Sequence, residues 1–410
     1  MPRSWSAAGT FCAGLVVVAA VAFADGGFFR DRWLWIVLAL ASLAGIALLL
    51  RERIEVGLLE PFALGALALF IGWTALSATW SSDEASSLHD AQRGLIYVVA
   101  LVAFVLVLDR ETVPALLGGV ASGSAAVAGY ALIERGVNGA PESPDPISGT
   151  RLIEPLGYAN ALAILCAVGI LLALGLAWEA RSPRERLVWI ALVVVQSSAL
   201  VLTESRGTVL ALVAGLAVFA LTRTRHPAAL AGVGLTLLAV VAAAAVAVDR
   251  ALGSRVDYWR VAWREYEANP VLGSGAGTFH RYWEQAAMPV SVRDAHSLYL
   301  ETLAELGPVG LGLVVVALGL PLVAFALAPR DAAAGIAASA YAAFLVHAGL
   351  DWDWEMPAVT LAGFACAAAV LVTPRRVFGM IGVETTGRIV CAAAVVALAV
   401  AAIALQVLVD

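Results

Sequence analysis

The sequence predicts an all-α fold, a polytopic membrane helix bundle of about 12–14 transmembrane helices. Composition is the first reason: 61% of the 410 residues are hydrophobic and 14% are charged, whereas soluble domains average about 45–50% and 25%. The second is apolar runs of about 16–25 residues parted by charged or Pro/Gly breaks, because a helix needs about 20 residues to cross the hydrocarbon core. The third is pattern. Runs such as LTLLAVVAAAAVAV lack the period-two alternation of a membrane barrel, so the backbone must be satisfied within helices.

In chain order, about thirteen spans centre near Val17, Leu40, Leu69, Val102, Ala125, Val168, Val195, Ala214, Val240, Val315, Ala342, Cys366 and Leu398. The first is read as a transmembrane helix rather than a cleaved signal, given the spans that follow. A single transmembrane domain over residues 1–410 is expected, with residues 249–297 forming an extracytoplasmic loop within it. Irregular outer segments are also expected at Gly136–Pro155, which holds Pro141, Pro144 and Pro146, and in WSSDEASSLHDAQR from Trp80.

Arginine sets the orientation, because cytoplasmic loops retain positive charge. With the N-terminus inside, inner loops hold thirteen arginines against six in the short outer ones, the long loop excluded. The chain is therefore expected in the inner (cytoplasmic) membrane with a cytoplasmic N-terminus and an outward-facing site. All 25 basic residues are Arg, which does not by itself imply nucleic acid. Cys12, Cys166, Cys366 and Cys391 each sit singly in apolar runs and read as small buried thiols.

Within the long loop, residues 255–267 carry Val256, Trp259 and Trp263 at helical spacing with Arg260, Arg264 and Glu267 on another face, the pattern of an amphipathic interfacial helix. Arg206 stands between two apolar runs with almost no loop, at the membrane boundary, where a charge usually marks a pathway or site; snorkelling or a local pair with Glu204 is the alternative. His296 precedes an apolar segment. Its imidazole is suited to take a proton from a hydroxyl nucleophile, with Asp294, Glu301 or Glu305 available to orient it, and structural packing is the alternative. His89, His280 and His347 read as packing or interface residues. The Asp351–Asp353 pair in GLDWDWEMP invites a divalent cation, but hard-metal sites need more oxygen ligands than this motif guarantees, and none is expected. No phosphate loop, zinc-protease motif or nucleophile elbow is present in the sequence.

Four stretches in order carry a resemblance: RLIEPLGYANALA from Arg151, Ser205-Arg-Gly, Ser254-Arg255 with Trp259, and NPVLGSGAGTFHRYW followed by AHSLYLETLAELGPVG. Together they resemble the Wzy_C region of the O-antigen ligase and polymerase superfamily. Ser297 stands where that family has Asn after the His, and Leu156-Gly-Tyr-Ala-Asn replaces a Gly-Asn-Pro-Asn segment.

The resemblance implies a glycosyltransferase of the GT-C kind, moving a glycan from an undecaprenyl diphosphate carrier to the hydroxyl of a glycan or lipid acceptor. It implies neither metal nor other cofactor. Arg206 and Arg255 would bind the pyrophosphate, Arg151 and Asn160 would be further substrate contacts, and His296 would be the catalytic base. A polymerase of lipid-linked repeat units shares these motifs. A secondary transporter is the alternative of a different class, although it needs ionisable groups at mid-membrane.

Overall fold

Long apolar segments leave the backbone only its own carbonyls as partners in lipid, and the chain duly folds as helices. The structure, a computed structural model, describes residues 6–50, 54–140, 149–223, 255–286, 291–327, 331–374, 380–382 and 385–409. These contain fourteen α-helices: α1 (Ala7–Ala22), α2 (Arg30–Leu50), α3 (Leu59–Ser77), α4 (Glu84–Val107), α5 (Val113–Asn138), α6 (Ala159–Glu179), α7 (Pro183–Thr203), α8 (Arg206–Arg223), α9 (Arg255–Ala268), α10 (Phe279–Gln285), α11 (Leu298–Leu327), α12 (Ala332–Ala348), α13 (Pro357–Val372) and α14 (Thr385–Val409).

Eight of the described helices, α2 to α8 and α11, are long and apolar enough to cross a membrane, and α1, α12, α13 and most of α14 are shorter apolar helices. The chain is a multi-pass membrane protein. Twelve of the expected span centres fall on these helices; Val240 lies outside the described residues.

Helices apolar all round belong inside a bundle, and α6 and α13 are buried along almost their whole length. α7 instead presents Leu187, Val188, Val194 and Val201 outward, a face for lipid. α1 packs against α5, and the contact depends on small residues: a Cβ at Gly119 would overlap the Phe11 carbonyl oxygen. Close backbone approach of this kind replaces the hydrophobic drive that lipid removes. Of the cysteines, Cys166 and Cys366 are buried, while Cys12 is exposed and Cys391 half-buried, so the buried-thiol expectation fails for the first.

The helix ends fall into two groups. At one end, Arg110 pairs with Asp331 at 2.9 Å, Arg223 pairs with Glu179, and strand β1 (Glu55–Gly57) runs antiparallel to β2 (Met380–Gly382). At the other end, the Leu152 N–H donates to the Leu202 carbonyl, Ser87 donates to the Ala276 carbonyl at 2.8 Å, and Arg93 pairs with Glu355 at 2.6 Å. All the candidate residues lie at this second end.

Two sequence expectations change here. The segment after Trp80 is irregular for only a few residues. Asp83 accepts from the Ser86 N–H and caps α4 at Glu84, so His89, Asp90 and Arg93 are helical. In α9 the buried face is Val261, Ala262 and Glu265, whereas Trp263 is 48% exposed. The amphipathic helix therefore lies with its Val261 side on the bundle and Trp263 turned away from it.

Candidate functional site

The Gly-rich stretch begins the site. Gly273 has φ 74°, a left-handed conformation that favours glycine. A Cβ there would also overlap the backbone of Glu305. The loop can thus press against α11, whose Glu305 accepts from the Gly277 and Phe279 N–H groups, both at 2.9 Å. One turn earlier, Glu301 accepts from the Ala295 N–H at 2.8 Å. The two glutamates, four residues apart on one helical face, therefore hold the Gly-rich loop and the His296 loop. They do not orient the imidazole directly, as the sequence reading allowed.

His296 itself has φ 53°, uncommon for a residue with a Cβ. Its Nδ1 lies 3.0 Å from the Asp294 carbonyl oxygen. A carbonyl only accepts, so in the neutral ring Nδ1 carries the proton and Nε2 presents a lone pair. Tyr258, one turn along α9 from Arg255, lies against the imidazole with ring centroids 4.5 Å apart.

Arg255 starts α9. Its Nε donates to the Leu350 carbonyl at 2.6 Å, and a terminal nitrogen pairs with Asp351. Asp351 is fully buried and gathers three more donors: Asn160 Nδ2 at 2.6 Å, the Tyr158 hydroxyl at 2.8 Å and the Trp352 N–H at 2.9 Å. Burial alone would raise the Asp351 carboxyl, but Arg255, then His296 and His347, overturn this and hold it below the ordinary carboxylate value.

Arg206 is exposed at the start of α8. Its neighbour Gly207 sits beside the same loop: a Cβ there would stand 3.7 Å from His347 Nε2 and 4.0 Å from Leu350 Cβ. Beneath it runs a buried polar chain. Ser205 Oγ and Thr208 Oγ1 are 2.9 Å apart, Thr208 Oγ1 is 2.9 Å from His347 Nε2, and His347 Nδ1 is 3.1 Å from Asp353 Oδ1. Arg255 and Asn160 thus meet on Asp351 in the 348–355 loop, His296 lies near enough to act on that carboxylate electrostatically, and Arg206 is the residue before Gly207, which sits beside the loop. Arg151 is fixed through its backbone between α5 and α7, its carbonyl accepting from Arg135 at 3.0 Å.

The three acids of the GLDWDWEMP segment have separate partners: Asp351 with Arg255, Asp353 with His347, and Glu355 with Arg93. His347 is therefore more than packing. Burial raises the Glu355 and Asp294 carboxyls. Among the described residues, Asp294, Glu301 and Glu355 are the set whose carboxylate oxygens come close enough together, within 4.8 Å, to hold a cation. Sequence reading weighed Asp351 and Asp353 only as a cation motif, took His347 for packing and did not single out Tyr158, so it missed the polar cluster they form. The available signal was charge balance, since an arginine at a membrane boundary needs a carboxylate and three acids within five residues supply it.

Residues 191–315 match the family model of Wzy_C, O-antigen ligase. A search of curated proteins finds no match to the chain. The matched stretch contains Arg206, Arg255 and His296 as well as the Gly-rich loop and both loop-holding glutamates, whereas Asp351, Asn160 and Tyr158 lie outside it. Residues 191–315 of this membrane protein are a Wzy_C O-antigen ligase domain.

Proposed function

We propose that the protein is a glycosyltransferase that moves a glycan from undecaprenyl diphosphate to an acceptor hydroxyl, as an O-antigen ligase does. The observation that supports it most is the buried Asp351 carboxylate, which pairs with Arg255 and is influenced electrostatically by His296, whose Nδ1 is directed at a carbonyl. In the reaction the acceptor oxygen attacks the anomeric carbon. The bond from that carbon to the diphosphate oxygen breaks, and its electron pair leaves on the diphosphate. The acceptor proton passes to His296 Nε2. Arg206 and Arg255 offset the charge that builds on the leaving group, since a guanidinium never deprotonates and its planar fork suits phosphate oxygens.

The test is transfer from a lipid diphosphate-linked glycan by purified protein. Loss of one preorganised donor typically lowers kcat by about a hundredfold to a thousandfold, and Arg206→Ala and Arg255→Ala are expected in that range while the protein still inserts. His296→Ala is expected to lose transfer but keep carrier binding. Near-normal turnover in any of the three rejects the assigned roles.

The arginine distribution supports an extracytoplasmic site in the inner membrane. A membrane-impermeant thiol reagent on intact cells is expected to label Arg260→Cys and spare Arg184→Cys. The reverse pattern inverts the topology.

A further inference from the structure

Helix α11 changes character at one point. Pro308–Leu327 carries no charged or polar side chain, and its length of about 30 Å matches the hydrocarbon core, whereas the turns before it hold Glu301 and Glu305. The membrane boundary on this side of the bundle therefore falls close to Gly307. The helix breaks there: Gly307 has φ 66°, and Pro308 has no N–H to give. Partners from outside the helix take up the carbonyls that the break releases. The Ser274 N–H donates to Ala304 at 3.2 Å, the Gly275 N–H to Glu305 at 2.8 Å, and Trp73 Nε1 to Leu306 at 2.9 Å. A tryptophan with its ring among apolar groups and its N–H bonded suits the membrane interface.

The turn between α9 and the Gly-rich loop reaches the same level. A Cβ on Gly307 would overlap the Val271 carbonyl oxygen and stand 3.0 Å from the Leu272 carbonyl carbon, so this dipeptide lies against the break. Val271 is 71% exposed, and Leu272 and Val309 are exposed beside it. Leu69 and Leu76, one turn to either side of Trp73, are exposed as well. Apolar side chains standing together outside the core mark a surface for an apolar partner. This surface is continuous with the lipid-facing side of α11, where Val315 and Val323 are exposed, so lipid is the partner that covers both.

We propose that the Val271–Leu272 tip inserts among the phospholipid acyl chains of the leaflet at this end of the bundle. The membrane then holds the Gly-rich loop from one side while Glu305 holds it from the other. The tip belongs to the segment that polarity alone assigns to a water-exposed loop. Its place beside the Gly307 break, at the end of an uninterrupted apolar span, is what puts it at lipid depth. Arg260, farther back on α9, is exposed and paired with Asp257, so α9 itself keeps a charged face for water and headgroups.

The experiment places nitroxide labels on the full-length protein in phospholipid nanodiscs. Cys12 and Cys391 are replaced by Ala so that the introduced cysteine alone reacts, Cys166 and Cys366 being buried. Collisions with oxygen, which concentrates in lipid, are compared with collisions with a water-soluble nickel chelate. Labels at Val271→Cys and Leu272→Cys are expected to favour oxygen as one at Val315→Cys does, and a label at Arg260→Cys to favour nickel. Nickel access at the tip equal to that at Arg260 overturns the proposal. Shielding of the tip from both reagents, as a protein partner or a second copy would give, overturns it too. In a second arm, amide exchange of Ser274 and Gly275 is followed in the same nanodiscs. Val271→Ser combined with Leu272→Ser is expected to speed it about tenfold with α6 unmoved, while Val271→Ile keeps it slow. Unchanged exchange in the double variant, or an equal rise in α6, overturns the holding role. Neither arm measures sugar transfer, so the outcome is separate from that of the transferase reading.

Discussion

Asn160 donates to Asp351 at 2.6 Å across 191 residues of sequence. This bond ties the start of α6 to the loop that receives Arg255. An arginine, an asparagine and a tyrosine that look unrelated along the chain therefore share one buried carboxylate. That carboxylate holds the group assigned to the leaving phosphate, and it is the point at which packing and chemistry join.

Removing Asp351 should be the most damaging single change outside the assigned catalytic set. Asp351→Ala leaves the Arg255 guanidinium, Asn160 and Tyr158 without their common acceptor, and breaking a buried pair from one side costs about 3–5 kcal/mol. Thermal unfolding in detergent should fall sharply, and transfer should fall at least as far as in Arg255→Ala. Asp351→Asn keeps an acceptor for Tyr158 and should lie between. Wild-type turnover in Asp351→Ala would show that Arg255 needs no such support.

The chain from Asp353 through His347 and Thr208 to Ser205 ends one residue before Arg206. His347→Ala should leave Asp353 without its partner, at about 1–3 kcal/mol, leave Thr208 only its bond with Ser205, and raise the donor KM through displacement of Arg206. His347→Gln, able to bridge the same two partners, should recover part of both. An equal effect of the two substitutions on donor KM would argue for simple packing.

Arg93 sits between two carboxylates and two rings: Glu355 at 2.6 Å, Asp90 at 3.0 Å, and the Trp33 and Trp354 rings at 5.9 and 5.7 Å. Arg93→Ala should lower the melting temperature strongly, at about 3–5 kcal/mol, by leaving Glu355 buried alone. Adding Glu355→Gln should restore much of the loss, and a double-mutant cycle measures the coupling.

Burial pushes the Glu265 carboxyl up to about 7 from its ordinary 4.5, against the hydrogen bonds from Ser274 and Thr278. With the folded value raised, its contribution to stability is complete below the ordinary value. It is lost as pH rises through about 7, with an upper limit of ~3 kcal/mol at about 1.4 kcal/mol per unit. Unfolding temperature should therefore decline between about pH 5 and 8, and Glu265→Gln should flatten that part of the profile. An unchanged slope in the variant assigns the decline to another group.

Composition and hydropathy pattern were enough to read the membrane class and twelve of the helical spans, and the motif resemblance marked a stretch that includes the segment matching the family, because hydropathy and local motif order are properties of contiguous residues. Arg255, Asn160 and His296 could be named from motifs for the same reason. Their common centre could not. Asp351 looked like half of a D-x-D cation motif, and its real partners lie about 95 and 190 residues away. The start of α4 was likewise misread as loop, since polarity alone does not reveal an aspartate cap. Burial of a charge has meaning only once helices pack and the dielectric around it falls. Which carboxylate answers which guanidinium was therefore settled by the assembled bundle, where an unpaired charge is too costly to leave.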